Sequence, residues 1–227
     1  MNNSGREKVH DLEWFAKEYG VKSSTHSGKM TGIPSYSTSC LKNERCAMYR
    51  HCDGSICEKC FAHAYMGFRK GLREAMQKNG EMLKSRVFEM DELPIINAAF
   101  FRYESFGDLD AGEKGVTQAR NYLRIARKNP HVRFGWWTKN PDILDKAIKA
   151  EGGYTKNISF VVSSIMINEV RDVSKFPWAN VVFTVYSPDY LAEHPEIKIN
   201  CGTRQCLGCL QCYKAHKKLV YVNELLK

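Results

Sequence analysis

The sequence lacks any apolar run approaching the ~20 residues that cross a bilayer. Residues 1–15 contain no apolar stretch of the kind that heads a secretory signal. Together these absences lead to the expectation of a cytoplasmic protein with no membrane partner. Neither G-x-G-x-x-G nor G-x-x-x-x-G-K-[ST] occurs, so the phosphate cradles of dinucleotide-binding and P-loop folds are missing. There is no internal repeat, low-complexity segment or clear linker. A chain of 227 residues that is 43% hydrophobic and 26% charged is neither disordered nor collagen-like. It is expected to form a single domain over 1–227, with an N-terminal extension (1–29), a core (30–200) and a cysteine-rich loop and tail (201–227).

Two local absences are more informative. Nine cysteines are present, yet none lies between residues 61 and 200. Buried thiols placed at random would not vacate the middle of the chain. In a reducing compartment, clustered cysteines read first as metal ligands or redox groups. The C-terminal cluster, Cys201, Cys206, Cys209 and Cys212, spells C-x4-C-x2-C-x2-C. Four thiolates within a dozen residues suit an iron–sulfur cluster or a tetrahedral zinc, and the compressed spacing is closer to bacterial-ferredoxin loops than to a zinc ribbon. The N-terminal cluster is looser: Cys40, Cys46, Cys52, Cys57 and Cys60. Cys57 and Cys60 form a C-x2-C pair, and a set of three ligands there leaves an open iron that can take a substrate or cofactor. At least one of these five is expected to be a plain buried thiol.

The second absence is acidic. No Asp or Glu falls between Glu113 and Asp142, while net charge is +9. Arg120, Arg124 and Arg127 share one helix face by their i, i+4, i+7 spacing, a candidate nucleic-acid patch whose alternative is a solvated face. Lys214, Lys217 and Lys218 make a second basic group beside Cys212.

Hydrophobic periodicity alternates between strand and helix. Strands are expected at 32–39, 94–106, 131–138, 157–165, 179–187, 197–200 and 220–222, and helices at 11–19, 61–86, 116–129 and 141–150. In the helix 61–86, the stripe Phe61, Tyr65, Phe68, Leu72, Met76 and Leu83 reads as core packing. Near-continuous apolar strands alternating with helices indicate parallel α/β architecture. An open doubly wound sheet and a partial β/α barrel of about six parallel strands both satisfy it. Polar groups at strand carboxyl ends are the candidate site in such folds: Glu104, Ser105 and Asp108, then Lys139. For Glu104 and Asp108 the alternative is helix capping; for Lys139 it is a solvated surface position.

Five segments carry a resemblance: Thr38-Ser-Cys40, the Cys57-x-x-Cys60-Phe-Ala stretch, FFRYESFGDLD over 100–110, IARKNPHVRFGWWTKN over 125–140, and the terminal cysteine loop. In order and spacing they resemble an uncharacterised family of phage- and prophage-encoded cysteine-rich proteins, over roughly residues 31–222. Phe61 stands where that pattern has Tyr, and Gly202 where it has Pro. The matching positions imply Cys40, Cys57, Cys60, Cys201, Cys206, Cys209 and Cys212 as metal ligands, with Cys46 and Cys52 outside the pattern. The layout is also similar to radical S-adenosylmethionine enzymes, although their C-x3-C-x2-C is replaced by Cys40-x16-Cys57-x2-Cys60. That similarity implies a partial β/α barrel with one or two [4Fe-4S] clusters and S-adenosylmethionine. Glu104, Ser105 and Asp108 would hold the cofactor's amino group, and Lys139 would neutralise a carboxylate or phosphate. The expectation is a viral iron–sulfur protein of radical S-adenosylmethionine type acting on a nucleotide or nucleic acid. The alternative is a non-enzymatic nucleic-acid-binding or regulatory protein with a structural zinc or iron–sulfur site held by four cysteines.

Overall fold

The computed structural model describes residues 10–202, 204–214, 216 and 218–226. Residues 1–9 of the expected extension and Lys217 of the second basic group lie outside the described residues. Six strands form one all-parallel sheet: β1 (Ser35–Tyr36), β2 (Phe100–Tyr103), β3 (Arg133–Thr138), β4 (Ile158–Ser163), β5 (Val181–Tyr186) and β6 (Val220–Leu225). Their spatial order is their chain order. A sheet that never reverses winds in one direction, as a partial β/α barrel does, and has no switch point of the doubly wound kind.

The connecting helices are α1 (Leu12–Tyr19), α2 (Glu44–Arg50), α3 (Phe61–Phe68), α4 (Lys70–Ser85), α5 (Gly112–Lys128), α6 (Pro141–Ala150), α7 (Pro188–Glu193) and α8 (Cys206–Cys209). Among the described residues no helix is long and apolar enough to cross a membrane. Asp11 caps α1 by accepting from the Trp14 amide at 2.8 Å. Pro141 opens α6 at the position where its missing N–H costs nothing.

Strand alternation sorts the two sheet faces. Phe101, Tyr103, Phe134, Trp136, Phe160 and Val182 join the main core with Leu83 of α4, Tyr122 of α5 and Leu144 of α6. The opposite face carries Arg102, Trp137, Phe183 and Val222, which line a cavity. Trp136 and Trp137 thus divide between core and cavity. Tyr213, from the terminal cysteine loop, packs against Phe100 and Trp137 at ring centroids 5.9 and 5.7 Å. A side chain at Gly135 would strike Tyr213 and Trp137, so glycine there lets the loop lie flat on the sheet.

Several expectations are corrected. The strand expected over 32–39 narrows to Ser35–Tyr36, and 197–200 is not a strand; Cys201 instead makes a single parallel bridge to Glu224. The helix expected over 61–86 breaks at Arg69, whose φ of −104° and ψ of 86° leave the helical region between Gly67 and Gly71. The break separates two halves of one apolar stripe. Met76 and Leu83 on α4 are fully buried, but Phe61 and Phe68 on α3 are 62% and 69% exposed. The first half of the stripe is therefore surface, not core.

Arg120, Arg124 and Arg127 do share a face, but it is not a free one. All three converge on the Glu151 carboxylate, at 2.8, 3.1 and 3.2 Å, and that side chain is only 3% exposed. Helices after parallel strands run back toward the strands' amino ends. This cluster at the ends of α5 and α6 therefore lies away from the rim that carries the cysteines. Removing Glu151 leaves three like charges together over a partly buried site. Glu151→Ala is expected to cost about 2 kcal/mol in urea unfolding, discounted for the arginines' partial exposure. A loss below about 0.5 kcal/mol would show that solvent already satisfies the arginines.

Candidate functional site

At the carboxyl ends of the strands, on the face free of α4, α5 and α6, lies a cavity of about 1450 Å³. Eight of the nine cysteines line it: Cys40, Cys46, Cys57 and Cys60 on one wall, and Cys201, Cys206, Cys209 and Cys212 on the other. Cys52 does not. Loops separated by some 140 residues of chain are thus brought to one space by the sheet's order.

Each loop is anchored by backbone and polar side chains. Ser39 caps the turn starting at Cys40 through the Leu41 amide at 3.2 Å. Asn43 accepts from the Cys46 amide at 2.9 Å and donates to the Asp108 carbonyl at 2.8 Å, tying α2 to the loop after β2. The 52–57 loop is pinned to the loop after β4: Ile56 donates to the Ile165 carbonyl at 2.9 Å and Ile167 to the Gly54 carbonyl at 2.9 Å. On the far wall, Cys201 donates its amide to the Asn223 carbonyl at 3.0 Å, and Leu210, with φ of +54°, closes α8.

The thiols differ in their surroundings. Cys60 packs against the small cluster that holds Cys40, and the Cys40 thiol donates to Met66 Sδ at 3.8 Å. The Cys60 pKa falls to about 5, lowered first by Cys40; burial opposes the fall, and the His63 amide, Lys139 and the Ala62 amide add to it. Burial pushes the Cys46 and Cys57 thiols up. Burial opposes the charge on Lys139, but Cys57, Asp108, Cys46 and Cys60 outweigh it and hold its pKa above the ordinary value. Lys139 thus faces the first thiol set. On the second wall, burial pushes Cys212 up to about 12, with Cys201 adding to it. Lys29 donates to the Cys201 sulfur at 3.1 Å and to Glu224 at 2.6 Å.

The donor set is one that iron–sulfur clusters and zinc both use. Among the described residues no three His, Cys, Asp or Glu side chains lie close enough together to hold a metal ion, so the thiols share a cavity without forming a ligand cage. Two buried polar atoms beside the second set, Arg102 Nε and Tyr213 Oη, have no hydrogen-bond partner among the described residues. Donors left unmatched next to four thiols fit a negatively charged sulfur centre.

The expected polar site is brought together, with altered roles. Glu104, Ser105, Asp108 and Lys139 all line the cavity. Glu104 is nevertheless saturated from within. It accepts from the Thr38 amide (3.1 Å) and hydroxyl (3.1 Å), Gln118 Nε2 (2.6 Å) and Tyr122 Oη (2.7 Å). Its φ of +56° is unusual for a residue with a Cβ and turns the chain sharply at the end of β2. Asp108 accepts from Thr138 Oγ1 and the Lys139 amide, both at 2.7 Å. Neither carboxylate merely caps a helix; both bind neighbouring loops together. Ser105 joins a hydroxyl chain with Ser37 (2.7 Å) and Ser35 (3.0 Å), which reaches His26 Nε2, 2.7 Å from Ser35.

Sequence reasoning missed His26, Lys29, Arg102 and Tyr213 as cavity residues. Arg102 had a legible signal: it alternates with Phe101 and Tyr103, so it must occupy the face opposite the core.

Burial raises the Glu104 pKa to about 7; bonds from Tyr122 and Thr38 oppose the rise, Asp108 adds to it, and Lys84 counters it. A carboxyl that binds its proton more tightly when folded contributes fully below its unfolded pKa of 4.5. That contribution is lost as pH climbs through about 7, a difference of about 3 kcal/mol at ~1.4 kcal/mol per unit. Urea unfolding at about pH 5 and about pH 7.5 should show stability falling across the interval, and Glu104→Gln should flatten that fall. An equal slope in the variant would mean that Glu104 ionises freely. Compared with family models, curated proteins and solved structures, the chain matches none.

Proposed function

We propose that the protein is an iron–sulfur protein of radical S-adenosylmethionine type, phage-encoded as its sequence resemblance implies, with a cluster on each wall of the cavity. The reading rests on one observation: eight cysteines from the two ends of the chain line a single cavity at the carboxyl ends of six parallel strands. Cys201, Cys206, Cys209 and Cys212 would hold one [4Fe-4S] cluster, and Cys40, Cys57 and Cys60 the other. A bound three-thiolate cluster supplies an electron and an open iron for the amino and carboxyl groups of S-adenosylmethionine.

The chain's own groups have separable parts in this reading. Glu104 fixes the turn after β2 through its bonds to Thr38, Gln118 and Tyr122. Asp108 fixes Lys139 through its backbone, leaving the ammonium toward Cys57 and Cys60 to balance thiolate charge or meet a carboxylate. Ser105 and His26 remain as polar cavity groups able to contact a bound cofactor. Cys46 lines the same wall but stands outside the ligand set that the sequence resemblance implies.

A second reading has a specific observation in its favour. Four thiols within a dozen residues, packed by Tyr213 onto the sheet, suit a structural zinc in a non-enzymatic nucleic-acid-binding protein.

Anaerobic purification with iron, acid-labile sulfide and zinc analysis separates the two. Two clusters per chain are expected, with Cys57→Ser or Cys60→Ser halving the iron and Cys46→Ser leaving it unchanged. One zinc and no iron would overturn the proposal. Iron lost on Cys46→Ser would make the first set a closed four-thiolate site and remove the radical reading, as would reduced protein yielding no 5′-deoxyadenosine from S-adenosylmethionine.

A further inference from the structure

The exposed half of the α3 stripe is not covered by any of the described residues, and its surroundings specify a partner. Phe61, Tyr65 and Phe68 are 62%, 40% and 69% exposed, and Met48 of the adjacent α2 is 57% exposed. The three rings form a row: centroids are 6.4 Å apart from Phe61 to Tyr65 and 5.6 Å from Tyr65 to Phe68. Phe106, on the cavity wall, continues it 5.6 Å from Phe61. Single exposed apolar residues are ordinary, but a contiguous aromatic row leading into a cavity is not.

Glu44, Asp53 and Glu58 are exposed nearby, but the charges that line the cavity mouth beside this row are cationic. Arg45, Arg50, Lys59 and Arg69 line the same cavity mouth, and among the described residues none of them pairs with a carboxylate. Arg69 lies over Tyr65 at 4.8 Å and Arg45 over Tyr49 at 4.9 Å. Arg45 Nε is buried without a hydrogen-bond partner. Around the whole cavity stand eight Lys and Arg against three acidic residues. Of those acids, Glu224 is paired with Lys29, and Glu104 and Asp108 are bonded inward. Lys29, Lys139 and Arg102 face thiols. Arg45, Arg50, Lys59 and Arg69, with Arg204 on the opposite wall, are left without that role.

Exposed aromatic faces interleaved with unpaired cations are what a single strand of nucleic acid requires: stacking for unpaired bases, charge for phosphates. Paired bases offer no free faces, so a duplex gains only the charge. The cavity, at about 1450 Å³, has room for one nucleotide. We propose that the α2–α3 surface is a docking track for single-stranded nucleic acid, delivering a nucleotide into the thiol-lined cavity. This names the substrate class of the proposed function and relocates it from the Arg120–Arg127 face. Its docking half does not depend on which metal the thiols hold.

Fluorescence anisotropy with a labelled oligothymidylate of about twelve nucleotides, on the full anaerobically purified chain, tests it. Tyr65→Ala with Phe68→Ala is expected to weaken binding tenfold or more, since each stacked base contributes ~1–3 kcal/mol. Phe68→Trp should keep it. Arg50→Ala with Lys59→Ala and Arg69→Ala should reduce the salt slope by about 2, at ~0.7 per single-strand phosphate contact. All five substituted side chains lie on the surface or rim, and circular dichroism with iron content verifies that fold and metal persist. Wild-type affinity in the aromatic variant, equal affinity for duplex of the same length, or equal competition by polyglutamate would each overturn the proposal. Binding that depends on these residues in a protein without iron would sustain this inference while the iron–sulfur reading fails. Two clusters with no oligonucleotide affinity would do the reverse.

Discussion

The rim of this protein hangs on one buried carboxylate. Glu104 sits at the end of β2 in a left-handed turn and gathers donors from Thr38, two residues before Cys40, and from Gln118 and Tyr122 on α5. Tyr122 stacks on Tyr103 at 4.2 Å, so the same turn is clamped from the core side. Asp108 repeats the device one strand over, joining the loop after β2 to Thr138 and Lys139. Gly107 makes the intervening approach feasible. At its φ of +73°, any Cβ would overlap the Thr38 carbonyl. These contacts set the distance between the first cysteine loop and the sheet, and hence where Cys40 meets Cys60.

Such inward use of carboxylates has a chemical consequence. Glu104 and Asp108 are bonded to the scaffold and Glu224 is paired with Lys29, so the charged groups left facing the thiols are cationic. Thiolates repel one another, and bringing them together needs compensating charge. Lys139 supplies it on one wall, and Lys29 with Arg102 on the other. The acids act at a distance by fixing loops, and the cations act on the thiols directly.

The parallel sheet, its β/α alternation and the alignment of polar groups along one rim were legible because each rests on local patterning: continuous apolar strands, capped helices and turn residues. The vacancy of cysteine between residues 61 and 200 was equally legible. What escaped is decided by tertiary direction. Spacing put Arg120, Arg124 and Arg127 on one face but said nothing of Glu151, 24 residues beyond Arg127, which absorbs them. Periodicity put Phe61, Tyr65 and Phe68 on one face of a helix but had no term for the break at Arg69 that turns that face to solvent. Glu104 was legible as a polar group at a strand end, but its left-handed turn and its bonds to Thr38, Gln118 and Tyr122 were not.

That reversal of the α3 stripe links fold to function. A helix that begins at Cys60 has its first turn held by the thiol site, and cannot rotate to bury its aromatic face without moving Cys60 from Cys40. Once Arg69 ends α3, α4 packs Met76 and Leu83 inward independently of what precedes it. The chain therefore leaves apolar rings in water beside the mouth of a positively lined cavity, at a hydrophobic cost of about 1.5–3 kcal/mol for each large side chain not buried. Had α3 and α4 been one continuous helix, the same residues would have paired with the core and the mouth would carry charge alone. The site and its approach surface are consequences of one interruption in one helix.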